Sequence, residues 1–262
     1  MFTFWKKKEK PVIKWWSVIE GLEKVVPILP AKEVIPDWWT RVERMLDRRV
    51  DTKGTVRNCP SFPEYITQGF VVPLWCDLHI IIEDGKFEWH TPEKAFSFSS
   101  HSDTQFRDWV PKHVRDNSSM ILKPACPWRL KTPPGWSVWQ LPMTYHYNPI
   151  FEVLPGIIWS DIHHEINQQM LMKKHGEFKL DRGTPLAMYV PYERKKYDFT
   201  IEGPNPENAK MANESYMHVR TMFKGGYKRH QAEVKKCPMG HTPTRKIDNT
   251  KKTKRKPRKK KV

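Results

Sequence analysis

The segment WSDIHHE, residues 159–165, holds several side chains that could bind a metal ion or move a proton. Carboxylates and imidazoles of this kind are zinc ligands and general acids or bases in other proteins. Neighbouring side chains on a strand point to opposite faces, so of its histidines and glutamate only His163 and Glu165 share a side. Two ligands fall short of a zinc site, and we expect no metal here.

The other candidate metal-binding or catalytic residues do not form a complete site. His146 and His175 are possible further partners of the first segment, whereas His230, Cys237 and His241 lack a fourth ligand and standard finger spacing. The pairs Asp77 with His79 and His101 with Asp103 could couple, although structural pairing is the more common role. The chain has no nucleophile elbow, Walker loop, dinucleotide glycine motif or H-E-x-x-H sequence. Common catalytic signatures and cofactors are therefore not predicted.

The charge of the chain is concentrated at its C-terminal end. The net charge is +17, and residues 242–262 hold eleven Lys and Arg against one Asp, a net of +10. Such a tail cannot bury itself and must face water, counterions or an acidic partner. We expect nucleic acid as the partner, with a solvated tail as the alternative. The predicted contacts are Lys251, Lys252, Lys254, Arg255, Lys256, Arg258, Lys259, Lys260 and Lys261.

Composition predicts a globular protein of short strands and ordered loops. Among 262 residues, 12 Trp, 12 Phe and 8 Tyr supply a bulky core, while 23 Pro argue against long helices. No apolar run is long enough to cross a membrane, and the start of the chain does not resemble a secretory signal. We expect a soluble, intracellular protein without disulfides, because the four cysteines are far apart.

Four regions follow from the local patterns. Residues 1–58 form an aromatic, proline-rich arm with a short helix, capped by Asp37 and running to Met45, whose tryptophans dock on the core. Residues 59–200 form a β-rich core, residues 201–236 a helical segment, and residues 237–262 a basic, disordered tail.

The core region is predicted as about eight strands. Asp84 and Gly85 indicate a hairpin turn between a strand from Val71 to Ile82 and a second one through Trp89. A turn is expected at residues 133–135, and residues 97–120 are predicted as a long connection with one helical turn. Residues 154–192 are predicted as a hairpin followed by a strand.

The runs PGIIWSDIHHE and GTPLA resemble the later part of the trimeric dUTPases and dCTP deaminases, which share the β-clip fold. About 40 residues carry the resemblance, through Gly156, Ile157, Ile158, Asp161 and Glu165, then Gly183, Leu186 and Ala187. It implies a mainly β protein with short peripheral helices, built as a β-clip-like distorted barrel. It also implies a nucleotide pocket, for which the candidates are Gly156, Trp159, Asp161, His163 and Glu165.

Departures from that family's pattern remove its chemistry. The water-activating Asp of the family corresponds to Trp159, its sugar-stacking Tyr to Ile162, and its turn Gly to His164. Tryptophan cannot accept a proton from water, so a dUTPase reaction is not expected. The family's phosphate motif is also missing, because residues 141–147 read LPMTYHY.

Three longer segments are similar to a family of uncharacterised proteins of tailed bacteriophages. They are residues 35–39, residues 59–75 and residues 127–137. The first hypothesis is therefore a non-catalytic phage protein of the virion or its assembly. We expect it to be a homo-oligomer, trimeric by analogy with the fold, in contact with phage structural proteins and found in the virion or the host cytoplasm.

Two alternatives stay open. One is a nucleotide-binding or nucleotide-modifying enzyme with a site rebuilt around residues 159–165. The other is a host-takeover factor that binds DNA or RNA through the tail.

Overall fold

The protein is mainly β in this computed structural model, which describes residues 10–44, residues 55–220 and residue 232. Two compact units divide the described chain, one of residues 10–44 and 55–198 and one that begins at Phe199. The segment from residue 10 to residue 44 thus belongs to the same unit as the β-rich core. No helix within the described ranges is long and apolar enough to cross a membrane.

The strands lie in the first unit. They are β1 (Lys14–Ser17), β2 (Leu29–Pro30), β3 (Phe70–Pro73), β4 (Leu78–Glu83), β5 (Lys86–His90), β6 (Phe98–His101), β7 (Met120–Pro124), β8 (Trp128–Lys131), β9 (Trp136–Pro142), β10 (Phe151–Val153), β11 (Gly156–Ile158), β12 (Met170–Met172), β13 (Gly176–Leu180) and β14 (Pro185–Glu193).

The helices are short except for the last. They are α1 (Leu22–Val25), α2 (Asp37–Arg41), α3 (Ser61–Ile66), α4 (Lys112–Asp116) and α5 (Pro206–Arg220), and α5 belongs to the second unit. Single 3₁₀ turns occupy Ala31–Glu33, Val56–Asn58, Asp103–Gln105, Arg107–Trp109 and Thr144–His146. The predicted helical segment of residues 201–236 contains α5, and the part beyond Arg220 lies outside the described residues apart from residue 232.

All strand pairs are antiparallel and form four open sheets in the described chain. Their strand orders are β1-β8, β10-β12-β7-β6, β11-β9-β14-β3-β2 and β13-β4-β5. No order closes on itself, so the barrel expected from the sequence is not closed. Val72, Ile80, Leu122, Met170 and Tyr189 come from different strands, and together they belong to one shared core.

The hairpin predicted at Asp84 and Gly85 is confirmed as β4 and β5. Both turn residues have positive φ, 48° and 72°, as a type I′ turn requires. The preceding strand is shorter than predicted, because the chain between Pro73 and Leu78 changes sheet. Proline has no amide to continue a ladder, and it ends β3 there.

The hairpin predicted after residue 154 is wrong. Strand β11 pairs with β9, and β12 pairs with β10 and β7, so the two do not meet. Between them the chain turns at residues 160–162 and leaves the sheets. The buried hydroxyl of Ser160 hydrogen-bonds that of Thr132 at 2.8 Å, and Leu130 N–H donates to His164 O at 3.0 Å. These bonds hold the turn against β8 and against Thr132, the residue that follows this strand.

Two further predictions differ from the structure. Residues 97–120 contain strand β6 as well as helical turns, and the sequence FSSH of β6 has a single apolar residue, so it gave no apolar period to detect. Helix α2 ends at Arg41, because Val42 is extended, and Asp37 stands in its first turn without capping it by a side-chain hydrogen bond. Met45 lies outside the described residues.

The tryptophans of α2 dock this part of the chain on α3. Trp39 is buried and stacks on Phe62, with ring centroids 4.4 Å apart. Trp38 packs on the same ring edge-on and donates its indole N–H to Tyr145 O at 2.7 Å.

Candidate functional site

Asp161 lies in the turn after β11, where Arg194 holds its carboxylate. Arg194 donates from Nη1 to Oδ1 at 2.8 Å and from Nη2 to Oδ2 at 2.5 Å. The backbone N–H of Gly135 donates to Oδ2 at 2.9 Å. Only 8% of the Asp161 side chain is exposed. Both carboxylate oxygens are therefore already bonded within the protein.

The pairing of β9 with β14 brings Arg194 to this position. Glu193 stands opposite Trp136, and the next residue, Arg194, donates its backbone N–H to Gly135 O at 2.8 Å. Its Nη1 also donates to Trp136 O at 3.0 Å and to Ser137 Oγ at 2.8 Å. One guanidinium thus connects the start of β9, the end of β14 and the turn after β11. We call this arrangement the Asp161–Arg194 clamp.

The clamp fixes the ionisation of Asp161. Hydrogen bonding from Arg194, helped by the amide of Gly135, lowers the pKa of the Asp161 carboxyl to about 2. The same pairing raises the pKa of Arg194. A general base near neutral pH needs a pKa close to that pH, and the pKa of Asp161 lies far below it. Its role in this geometry is structural.

Trp159 lies beside the clamp. The guanidinium carbon of Arg194 is 4.4 Å from the centroid of the Trp159 ring, within the range of a cation–π contact. The ring is still 56% exposed. Trp159 therefore covers one face of the Arg194 guanidinium, while more than half of its own side chain is exposed to solvent.

His163 and Glu165 line a separate cleft of about 400 Å³. Gly156 is a strand residue paired with Gln140, and neither it nor the clamp contributes to the lining of that cleft. The five predicted pocket residues are thus not brought into one pocket.

The cleft contains polar residues that the sequence patterns did not single out. Ser97, Ser99, Lys123 and Arg129 line it together with Cys126 and Asn167. Desolvation of the thiol raises the pKa of Cys126 to about 12, so this sulfur is protonated at neutral pH. The thiols of Cys59, Cys76 and Cys126 are free.

His146 and His164 have structural partners. His146 Nε2 donates to Val34 O at 3.1 Å, and burial lowers the pKa of its ring. His164 Nδ1 lies 3.2 Å from both Leu130 O and Ser160 O. Among the described residues, no group of three or more His, Cys, Asp or Glu is arranged to hold a metal ion.

The two isolated acid–histidine pairs bond to other residues. Asp77 accepts the backbone N–H of Arg182 at 2.8 Å, whereas His79 Nε2 contacts Glu177 Oε1 at 2.7 Å. In the second pair, Asp103 accepts from Arg107, and His101 faces Gln105. Each of these side chains has an ordinary local partner.

Part of the outer face of the largest sheet is exposed and apolar. Trp139 stands opposite Ile157 on one side and Val190 on the other, and its ring is 5.6 Å from that of Tyr192. Trp139 is 42% exposed and Ile157 45%. We call Trp139, Ile157, Val190 and Tyr192 the open face. The neighbouring part of the same sheet is covered, since Ala31 packs on Val71 and Met188.

The charge of the folded body differs from that of the whole chain. Residues 10–44 and 55–198 contain 22 Lys and Arg and 21 Asp and Glu, a net charge of +1. The tail residues predicted to contact nucleic acid, from Lys251 to Lys261, lie outside the described residues, as do His230, Cys237 and His241. No family model matches the chain, and no curated protein matches it either.

Proposed function

We propose that this chain is a non-catalytic bacteriophage protein with a β-clip-like body, acting in the virion or in its assembly. In this proposal, copies of the body associate through the open face, and the basic C-terminal tail contacts nucleic acid. The observation that carries the proposal is the Asp161–Arg194 clamp. Asp161 lies two residues after Trp159, which stands where the hydrolytic family has its water-activating Asp, and its own carboxylate accepts three hydrogen bonds from within the protein.

Association through the open face is supported by its composition and by the charge of the body. Aromatic residues are enriched at the cores of protein interfaces. The body has a net charge of only +1, so two copies meet without strong mutual repulsion. The occupant of the open face in this proposal is a second copy of the chain, in a trimer by analogy with the β-clip enzymes.

Contact with nucleic acid is assigned to the tail because the body has little charge to offer. Neutralisation of about six to ten phosphates by the tail gives a slope of log affinity against log salt of roughly −5 to −9 for duplex DNA. Such contacts carry no base specificity.

The proposal as a whole is tested on purified phage particles. Quantitative mass spectrometry is expected to find the protein in gradient-purified virions or in assembly intermediates, at a fixed ratio to the major structural proteins. Detection only in the cytoplasm of infected cells would reject the assembly role and favour the host-takeover factor.

Self-association is tested by sedimentation velocity of the purified chain. Trp139→Lys places a charge in the centre of the open face and is expected to shift the protein toward the monomer. Trp109→Lys is the matched control, because Trp109 is 81% exposed and lies outside the open face. An identical oligomer for both variants and the parent would exclude the open face as the interface.

The tail is tested by truncation after Thr242, which removes a net charge of +10. Near-ultraviolet circular dichroism should be unchanged, and the salt-dependent affinity for DNA should be lost. Binding that survives truncation with the same salt slope would assign the contact to the remaining residues instead.

A further inference from the structure

The cleft that holds His163 and Glu165 has the side chains of an anion site. We propose that it binds the phosphate group of a small phosphorylated molecule. This inference does not depend on the assembly role, and it concerns residues that neither the clamp nor the open face uses.

One wall of the cleft comes from the pairing of β6 with β7. Ser99 stands opposite Lys123, so the hydroxyl and the ammonium group belong to one face of this pair. Ser97 lies two residues before Ser99 and lines the cleft with it. The backbone of Ser97 is fixed, since its carbonyl accepts the N–H of Ala125 at 2.9 Å. This wall offers two hydroxyl groups and a cation.

The other wall presents Arg129 in a fixed position. Its Nη1 donates to Cys126 O at 2.8 Å and to Trp128 O at 3.1 Å, and its Nη2 donates to Glu165 Oε1 at 3.3 Å. Only 22% of the side chain is exposed. These three bonds use part of the donor set of a guanidinium, which has five N–H groups. Arg129 is therefore already ordered before a ligand binds, so its immobilisation adds little to the entropic cost of binding.

A backbone bridge between Arg129 and Glu165 places the segment from His163 to Asn167 beside β8. The cleft lining thereby combines two cations, an imidazole, two hydroxyls and a carboxamide with a single acid, Glu165. The Glu165 side chain is 66% exposed and already accepts from Arg129. The excess of donors and positive charge suits a phosphate, which guanidinium groups recognise through several oxygens at once.

The size of the cleft indicates a phosphate carried on a larger group. A volume of about 400 Å³ lies within the range of small-molecule sites and far exceeds one phosphate. Phe98, Pro124 and Ile166 also line the cleft and could contact the organic part. A phosphomonoester therefore fits the lining better than the free anion.

Isothermal titration calorimetry on the full-length chain tests the assignment. The probes are thymidine monophosphate, glucose 6-phosphate and inorganic phosphate, with glucose as the uncharged control. The titrations use roughly 0.15 M salt, which limits long-range attraction by the tail. We expect saturable binding of at least one ester at one site per chain, weaker binding of inorganic phosphate, and no binding of glucose.

Four variants locate the site. Arg129→Lys keeps the charge but loses the planar donor set, and it should weaken ester binding about 10- to 100-fold. Lys123→Gln should also weaken it, and it serves as the second probe if the Arg129 variant fails to fold. Glu165→Gln should tighten binding, because it removes the only negative charge of the lining. Lys131→Gln, an exposed lysine on β8 outside the cleft lining, should change nothing.

Several outcomes would overturn the proposal. The absence of saturable binding for every phosphate probe is one, and equal weakening by Lys131→Gln and Arg129→Lys is another. A loss of affinity in Glu165→Gln would show that the acid, not the cations, recognises the ligand. Equal affinity for the esters and inorganic phosphate would overturn the ester assignment and leave the free anion as the ligand.

Discussion

Replacement of Gly69 by alanine is expected to weaken the sheet on which the clamp and the open face are built. Gly69 has a φ of +68°, and a Cβ atom on it would lie 2.1 Å from Tyr189 O and 2.9 Å from the carbonyl carbon of Tyr189. Its own carbonyl accepts the N–H of Ala31 at 3.0 Å, which restrains the residue from moving away from β14. The contact is between backbones, so no side-chain rotation relieves it.

Two costs add at this position. A left-handed backbone costs a residue with a Cβ atom about 1–2 kcal/mol. Crowding against a packed neighbour costs roughly 1–3 kcal/mol more, so Gly69→Ala should lower the free energy of unfolding by about 2–5 kcal/mol. Gly85→Ala is the matched control, because Gly85 has a similar φ of +72° and nothing lies within 4 Å of its Cβ position. In Gly85→Ala the free energy of unfolding should fall only by the cost of the left-handed backbone, about 1–2 kcal/mol.

Urea denaturation followed by tryptophan fluorescence measures both variants against the parent. The difference between the two losses isolates the contact of Gly69 with β14. Equal losses in Gly69→Ala and Gly85→Ala would refute the close approach of residue 69 to β14, whatever their absolute size.

Three further outcomes follow from the same geometry. The pKa of Asp161 is lowered to about 2 from an unfolded value near 3.9. The stabilisation by its ionised carboxylate is therefore complete above about pH 4 and is lost as the pH falls toward 2. The difference in Tm between the parent and Asp161→Asn should close over that range. Tyr189→Phe removes the buried donor to Gln140 Oε1, which it contacts at 2.8 Å, and should cost about 1–3 kcal/mol in urea denaturation. In single-cysteine variants, Cys126 should react with a thiol reagent at pH 8 more slowly than the exposed Cys59, because desolvation raises its pKa, and equal rates would contradict that increase.

Local sequence signals predicted the elements whose cause is local. The Asp84–Gly85 hairpin rests on two residues that accept positive φ. The mainly β character follows in the same way from short β-branched runs and frequent prolines. The pairing between strands was harder to predict from the sequence, because it depends on residues that are distant in the chain.

The functional geometry depends almost entirely on such distant partners. Asp161 was predicted as a nucleotide-pocket residue from the family resemblance, but its partner Arg194 is 33 residues away and carries no motif. The cleft joins Ser99, Lys123 and Arg129 to the segment that begins at His163, and no periodic pattern links these four places. His163 and Glu165 were predicted to share a side, and both do line that cleft.

The clamp also decides how the body would respond to a pull on its C-terminal end. Strand β14 is paired with β9 from Ala187 to Glu193 and with β3 from Pro185 to Tyr189, and Arg194 follows its last residue. For tension applied along the axis of β14, the hydrogen bonds of both ladders resist together in shear. The Arg194 side chain adds a crosslink at the loaded end of the strand, which makes this exit the part of the sheet best suited to withstand a mechanical load.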